Sequence, residues 1–199
     1  MSPTPTRKAR LLLVDDDRLV LSTLGSGLLD AGYEISTAES SEDAETLLAS
    51  GMRPDLAIVD IRMSGQDGLY LARRLRELDH IPFLMLSAYS EQRMIDLATR
   101  HGALGYLVKP LDTPQLVPAI EAALSRANEL QILRETRAQL QAALDAERDI
   151  SIAIGITMAQ QQLMRQDAFE LLRKTARGQR RKLAELATEI IRAPHTLKL

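Results

Sequence analysis

Four short apolar runs in the first part of the chain end in polar residues whose types belong together chemically. Residues 9–14 run into Asp15, Asp16 and Asp17, residues 56–59 into Asp60, residues 82–86 into Ser87, and residues 105–108 into Lys109 and Pro110. Carboxylates brought together in this way make a hard-oxygen site that suits Mg2+, which takes few carboxylates and keeps its other positions for water and phosphate. With Asp16 and Asp15 holding the ion, Asp60 can act as a nucleophile that accepts a phosphoryl group as an acyl phosphate. The ion and the Lys109 ammonium would offset charge on the group in transfer, and Ser87 can donate a hydrogen bond to a phosphate oxygen. Each residue alone has an ordinary role: an Asp after a strand is commonly a loop or cap residue, Lys109 a solvated charge, Ser87 a strand-end hydroxyl, Tyr106 a core aromatic. Their joint order along the chain argues for a site.

The positioning elements are legible as an alternation. Strands are expected over 9–14, 33–39, 56–59, 82–86 and 105–108, with helices over 19–31, 41–50, 69–78 and 91–100. Ser40 precedes Asp43 at capping-box spacing, and Gly32 and Gly51 stand just past two helices. Five strands alternating with helices imply an α/β fold with a doubly wound, five-stranded parallel sheet. The run Leu56, Ala57, Ile58, Val59 suits burial on both faces. Ligands of such sheets bind at the carboxyl ends of the strands, so the acids, the hydroxyl and the amine share one rim.

After Pro110 the texture changes. Thr113 reads as a cap with Pro114 at the first helical position, and no Gly or Pro interrupts residues 119–154. Leu116, Ala119, Ala123, Arg126, Leu130, Leu133, Arg137, Leu140 and Leu144 follow the 3,4 spacing of a coiled-coil seam, which predicts one long helix that pairs with a partner. From about Asp149 the tail reads as two or three short helices forming a small bundle, punctuated at Gly178. Ala153 and Gly155 would permit close approach of another backbone.

The formal net charge of −2 hides an asymmetry: residues 1–112 carry 12 Lys and Arg against 17 Asp and Glu, residues 151–199 carry 9 against 4. An acidic front and a basic tail point to different partners, and Arg165, Arg173, Lys174, Arg177, Arg180, Arg181 and Lys182 form an electrostatic footprint for phosphate backbones. The absence of cysteine excludes disulfides, thiolate metal sites and cysteine nucleophiles. No apolar stretch approaches the roughly 18 residues of a membrane span, so a soluble, cytoplasmic protein without membrane partners is expected.

Residues 10–124 resemble the receiver domain of two-component response regulators. The resemblance rests on Leu12, Leu13, Val14, Asp15, Asp16 and Asp17; on Asp60 followed by Ile61, Arg62, Met63, Ser64, Gly65, Gln66, Asp67 and Gly68; on Leu86, Ser87 and Ala88; and on Gly105, Tyr106, Leu107, Val108, Lys109 and Pro110. It implies a flavodoxin-like receiver domain at 8–124, phosphorylated on Asp60 by a sensor histidine kinase. It also implies Mg2+ held by Asp16, Asp60, the Arg62 carbonyl and, through water, Asp15; a switch in which Ser87 and Tyr106 move together; and a cis Lys109–Pro110 bond. Ala88 and Lys109 complete the phosphate-stabilising set. Two departures carry expectations. Ser64 stands where a proline is usual, which would loosen that loop, and Arg62 and Tyr89 flank the site with bulk that would hinder an attacking water and lengthen the life of the acyl phosphate.

The tail at 138–193 resembles the ANTAR family of RNA-binding antiterminator domains, through Arg148, Ile150, Ala153, Gly155, Ile156 and Met158, then Ala168, Phe169, Leu171, Leu172 and Arg173, then Arg181, Lys182, Leu183, Leu186 and Ala187. Ile154 departs from a common lysine, and Gln179 from a frequent asparagine cap. The resemblance implies binding of RNA stem-loops, with Ala153, Gly155, Met158, Arg173, Arg177, Arg181 and Lys182 forming or supporting the RNA face. A coiled-coil linker helix at 114–147 would join the two domains and pair two phosphorylated chains. The protein so read is a non-enzymatic response regulator acting as a transcription antiterminator. The competing readings are a DNA-binding regulator, for which the tail is short, and an adaptor whose tail binds a protein.

Overall fold

The computed structural model describes residues 8–64, 67–88 and 92–193. Its order is β1 (Arg10–Val14), α1 (Arg18–Asp30), β2 (Glu34–Ala38), α2 (Ser41–Ala49), β3 (Leu56–Asp60), α3 (Gly68–Arg74) running into a π-helical turn (Leu75–Asp79), β4 (Phe83–Ser87), α4 (Gln92–Arg100), β5 (Gly105–Val108), α5 (Thr113–Gln161), α6 (Arg165–Gly178) and α7 (Leu183–Arg192). The chain divides into two compact units, residues 1–131 and 132–199. Residues 65, 66 and 89–91, which include Tyr89 and the expected helix start at Glu91, lie outside the described residues, as do 1–7 and 194–199.

In the first unit all strands pair in parallel, in the order β2-β1-β3-β4-β5. Alternation along the strands divides the core in two. Leu12, Val14, Ala57, Val59, Phe83 and Met85 pack on α2, α3 and α4. Leu11, Leu13, Leu56, Ile58, Leu84 and Leu86 pack on α1 and the start of α5. The chain therefore leaves β1 toward one face and β3 toward the other. That divergence opens a crevice at the carboxyl ends of β1 and β3, the topological switch point of a doubly wound sheet.

Local chemistry sets the helix ends. Asp17 caps α1 by accepting from Leu19 N at 2.8 Å, and Ser40 caps α2 by accepting from Asp43 N at 3.0 Å. Gly32 and Gly51 follow their helices with φ of 92° and 96°, values that cost glycine little. The cap before α5 is Asp112 rather than Thr113: Asp112 Oδ1 accepts from Gln115 N at 3.0 Å while the Gln115 side-chain oxygen accepts from Asp112 N at 3.1 Å. This reciprocal pair is a capping box, and it moves Pro114 to the second helical position, where a missing N–H is still harmless. Thr113 instead packs against α1, where a Cβ on Gly27 would lie 2.1 Å from its hydroxyl oxygen.

The second unit is a three-helix assembly. Ala153 and Ile154 of α5, Ala168, Leu172 and Ala176 of α6, and Leu186 and Ala187 of α7 form its core. The short helices read from about Asp149 begin later: α5 continues to Gln161 because nothing from 119 to 161 breaks a helix except Gly155, which the helix tolerates. Gly178 closes α6 from within, and the left-handed turn that follows falls on Arg180, with φ of 54°. Gly155 is exposed, and a Cβ there would meet nothing within 4 Å, so in this chain it is not a point of close backbone approach. Among the described residues no helix is long and apolar enough to cross a membrane.

The seam read along α5 divides into two parts. Leu116 and Ala123 are buried in the sheet unit, where Ile120 joins them. Farther along, Ile132, Leu133, Leu140 and Leu144 are 54%, 65%, 62% and 53% exposed, more apolar surface than a single helix hides by itself.

Candidate functional site

The crevice gathers the residues singled out for chemistry. Asp15, at the end of β1, is fully buried, and its Oδ1 accepts from Asp17 N at 3.0 Å. Asp60, the last residue of β3, is also buried. Lys109, just past β5, reaches across the sheet edge and donates to both, at 2.6 Å to Asp15 Oδ2 and 2.8 Å to Asp60 Oδ2. Oxygens of Asp15, Asp16 and Asp60 lie within 4.8 Å of one another. Asp17, the third acid of the run, stays out of this group as the cap of α1.

The close approach behind Asp60 depends on Gly68. A Cβ there would sit 1.8 Å from the Asp60 carbonyl oxygen, so the first residue of α3 must lack one. Gly68 N donates to Ile61 O at 3.0 Å and closes the turn that carries Arg62. Arg62 is exposed, and its N–H points at Asp60 Oδ1 at 3.4 Å. Ser87 is buried at the end of β4, Ala88 is exposed beside it, and Lys109 N donates to Ser87 O at 2.8 Å. Tyr106, on β5, is partly buried against the α2, α3 and α4 side of the core. The Lys109–Pro110 bond is cis.

The electrostatics follow from this geometry. Burial pushes the Asp15 carboxyl above the usual carboxylate range, and the nearby Asp60 charge adds to it, against the lowering effect of Lys109 and the Asp17 N–H. Burial alone would push the Lys109 ammonium down, but its hydrogen bonds to Asp15 and Asp60 outweigh that and hold it up and charged. Asp16 is exposed and lowered, because the Ser64 hydroxyl and N–H both donate to its Oδ2 at 2.8 Å. Ser64, standing where a proline is usual, thus ties its loop to the β1 end. No sequence pattern announced this contact; a hydroxyl within the turn after Asp60 was its only trace.

Three carboxylates facing one ammonium leave negative charge in a part-buried crevice, which fits a divalent cation. Mg2+ takes a few carboxylate oxygens and completes its shell with water and phosphate, and the oxygens of Asp15, Asp16 and Asp60, within 4.8 Å of one another, are close enough to serve one such ion directly or through water.

The residues expected at an RNA face do not converge in this way. Ala153 is buried and Met158 partly so, and both serve the three-helix core. Arg173 and Arg177 are exposed on α6 and, with Lys174 and Leu171, line one shallow depression; Arg173 also pairs with Glu170 at 3.3 Å. Arg181 pairs with Glu189 and lines a second depression with Thr188 and Arg192. Lys182 is exposed at the start of α7.

Comparison with known proteins agrees with both units. The family model described as response regulator receiver domain matches residues 11–121, and that of the ANTAR domain matches residues 138–191. The transcriptional regulatory protein PdtaR of Mycobacterium tuberculosis is 31% identical over 189 residues, covering 93% of this chain and 92% of the relative. The transcriptional regulatory protein AfsQ1 of Streptomyces coelicolor is 35% identical over 116 residues, 58% of this chain and 51% of its own. Among solved structures, a CheY-like receiver domain protein from Methanospirillum hungatei matches with a TM-score of 0.56 at 23% identity, covering 60% of this chain and 96% of its own. The chemotaxis response regulator CheY4 of Vibrio cholerae matches with a TM-score of 0.54 at 29% identity, covering 58% and 98%.

Proposed function

Since the chain belongs to the response regulators, with a receiver domain followed by an ANTAR domain, we propose that it accepts a phosphoryl group on Asp60 and acts as an RNA-binding transcription antiterminator. It is a signalling protein rather than an enzyme with a substrate turnover of its own. The observation that carries the proposal is the Lys109 ammonium bridging Asp15 and Asp60 with Asp16 alongside.

In this reading the donor is a phosphorylated histidine of a sensor kinase. An Asp60 carboxylate oxygen attacks phosphorus, the P–N bond breaks, and an acyl phosphate forms. Asp15, Asp16, Asp60 and the Arg62 carbonyl would hold Mg2+, which supplies charge neutralisation of the phosphoryl oxygens. Lys109 has three N–H donors, of which two hold Asp15 and Asp60. The third can meet a phosphoryl oxygen without the others letting go. Burial of Asp60 keeps bulk water from its carboxylate, and the exposed Arg62, two residues on, would add bulk against an attacking water. Ser87 would donate to a phosphoryl oxygen, and Tyr106 would follow it inward as the switch.

The output belongs to α5, α6 and α7. Leu133, Leu140 and Leu144 give α5 an apolar stripe that a second chain would cover when Asp60 is phosphorylated. Two ANTAR domains held together bind two RNA stem-loops with raised effective concentration. Arg173, Arg177 and Lys182 supply exposed charge for the phosphates, while Ala153 supports the helices beneath. The protein works in the cytoplasm, where nascent transcripts are. The test is a salt-controlled gel shift of the full chain with paired RNA hairpins and with duplex DNA, before and after treatment with a small acyl-phosphate donor. The reading predicts hairpin binding that tightens on phosphorylation and is unmoved in Asp60→Asn. Preference for duplex DNA would replace antitermination by promoter control.

A further inference from the structure

Asp16 is the one carboxylate of the crevice that lies exposed, on a loop, where an unrestrained side chain would sample several rotamers. It does not do so here. Its Oδ2 accepts two hydrogen bonds from one residue, Ser64: from the backbone N–H at 2.8 Å and from the hydroxyl at 2.8 Å. Both are short, charge-assisted bonds, and between them they use the lone-pair directions of that oxygen. The same contact ties the turn after β3, which carries Arg62 and Ser64 just past Asp60, to the turn after β1, which carries Asp15 and Asp16. These are the two turns that diverge at the switch point.

We propose that Ser64 is a positioning residue for the divalent cation: by fixing Asp16 through two donors on one oxygen, it sets the affinity of the crevice for Mg2+ before any phosphoryl group arrives. The inference rests on the reading of Asp15, Asp16 and Asp60 as a cation site. It makes Ser64 an outer partner that orients a ligand without touching the ion, the role in which loss typically weakens metal binding about 10- to 100-fold. The two donors can be removed one at a time. Ser64→Ala deletes the hydroxyl and keeps the N–H; Ser64→Pro deletes both, since proline has no N–H; Ser64→Thr keeps both.

The experiment is isothermal titration of Mg2+ into the full-length protein and these three variants, with thermal unfolding of each in chelator as a companion. The dissociation constant is expected to rise about 10-fold in Ser64→Ala, to rise also in Ser64→Pro, and to stay close to wild type in Ser64→Thr. Unfolding midpoints in chelator are expected to coincide for wild type, Ser64→Ala and Ser64→Thr. Isotherms of Ser64→Ala and Ser64→Pro that superimpose on that of the wild type overturn the proposal and leave the cation site standing. A lowered midpoint with unchanged affinity also overturns it, by assigning the contact to loop tethering alone. A wild type that takes up neither Mg2+ nor Mn2+ removes the cation site itself, and the role of Ser64 with it.

Discussion

In the proposed function the crevice of the receiver domain and the basic surface of the ANTAR domain both deal with phosphate, and the chain builds them in opposite ways. In the crevice, three strand ends aim Asp15, Asp60 and Lys109 at one another until nitrogen and oxygen stand 2.6 and 2.8 Å apart, with Asp15 wholly out of solvent. On α6, Arg173, Lys174 and Arg177 stand in water, and what pairing there is, Arg173 with Glu170, lies within one helix. Reaction at a single phosphorus needs atoms fixed to fractions of an ångström, because a misplacement of about 1 Å can cost a factor of about 100. Holding a polyanion needs only charge along a surface, and its energy comes largely from counterions released. A parallel sheet suits the first task because its strand ends converge, and a helix suits the second because its side chains diverge.

Substitutions in the two regions should differ in the size of their effects. The largest effect belongs to the crevice. Lys109→Met removes the only ammonium that reaches Asp15 and Asp60 among the described contacts, and phosphoryl uptake from a small acyl-phosphate donor is expected to fall about 100-fold, the typical cost of losing one charge-stabilising donor. Intact mass spectrometry over time measures it, and a rate within a few-fold of wild type would mean that the crevice does not act through a fixed ammonium. Next is the core of the second unit. Leu172 is buried between the three helices, and Leu172→Ala should cost about 3 kcal/mol. Denaturant unfolding should show the loss, and RNA binding should fall while Asp60 still accepts phosphate.

The basic surface should respond by degrees. Arg177→Gln is expected to weaken hairpin binding only several-fold and to lower the slope of log affinity against log salt by about 0.7 to 0.9, one phosphate contact's worth. An all-or-none loss would mean that this arginine sits in a convergent site after all. The smallest effect lies on the far side of the sheet, where the buried Tyr33 hydroxyl donates to Glu121 of α5. Burial, with the Glu121 bond and charge adding, raises the tyrosine well above its ordinary value. A raised folded value means that the stabilisation is complete below the unfolded value of about 10 and is lost as pH climbs toward the folded one. Tyr33→Phe should therefore cost about 1 kcal/mol at neutral pH and flatten the decline of stability above pH 10. Unfolding curves at both pH values check it.

The strands and the crevice were largely legible in the sequence because two signals coincide there. Continuous apolar runs such as Leu56 to Val59 need burial on both faces, and each ends in a residue whose charge or hydroxyl would be costly one step earlier. The helical part was harder for a physical reason. From 119 to 161 no proline interrupts the chain, so one helix runs through the point where the linker passes into the ANTAR domain and no break in structure marks it. Gly155 looked like a contact between backbones and is open surface; Arg180, not Gly178, takes the left-handed turn. Glycine signals a permitted conformation, and tertiary packing decides whether it is used. Leu75–Asp79 widens to a π-helical turn and His80 ends it with φ of 54°, although 69–78 read as an ordinary helix. The Asp112 and Gln115 capping box was written in the sequence at the right spacing, but Thr113 beside it offered an equally good hydroxyl.

Acceptance of phosphate at Asp60 is the claim on which the rest depends. Peptide mapping by mass spectrometry, after brief exposure of the full chain to a small acyl-phosphate donor with Mg2+, tests it directly. A single phosphoryl group is expected on the peptide that contains Asp60, and none taken up by Asp60→Asn. Equal uptake by Asp60→Asn, or a label carried on Asp15 or Asp16, would contradict it.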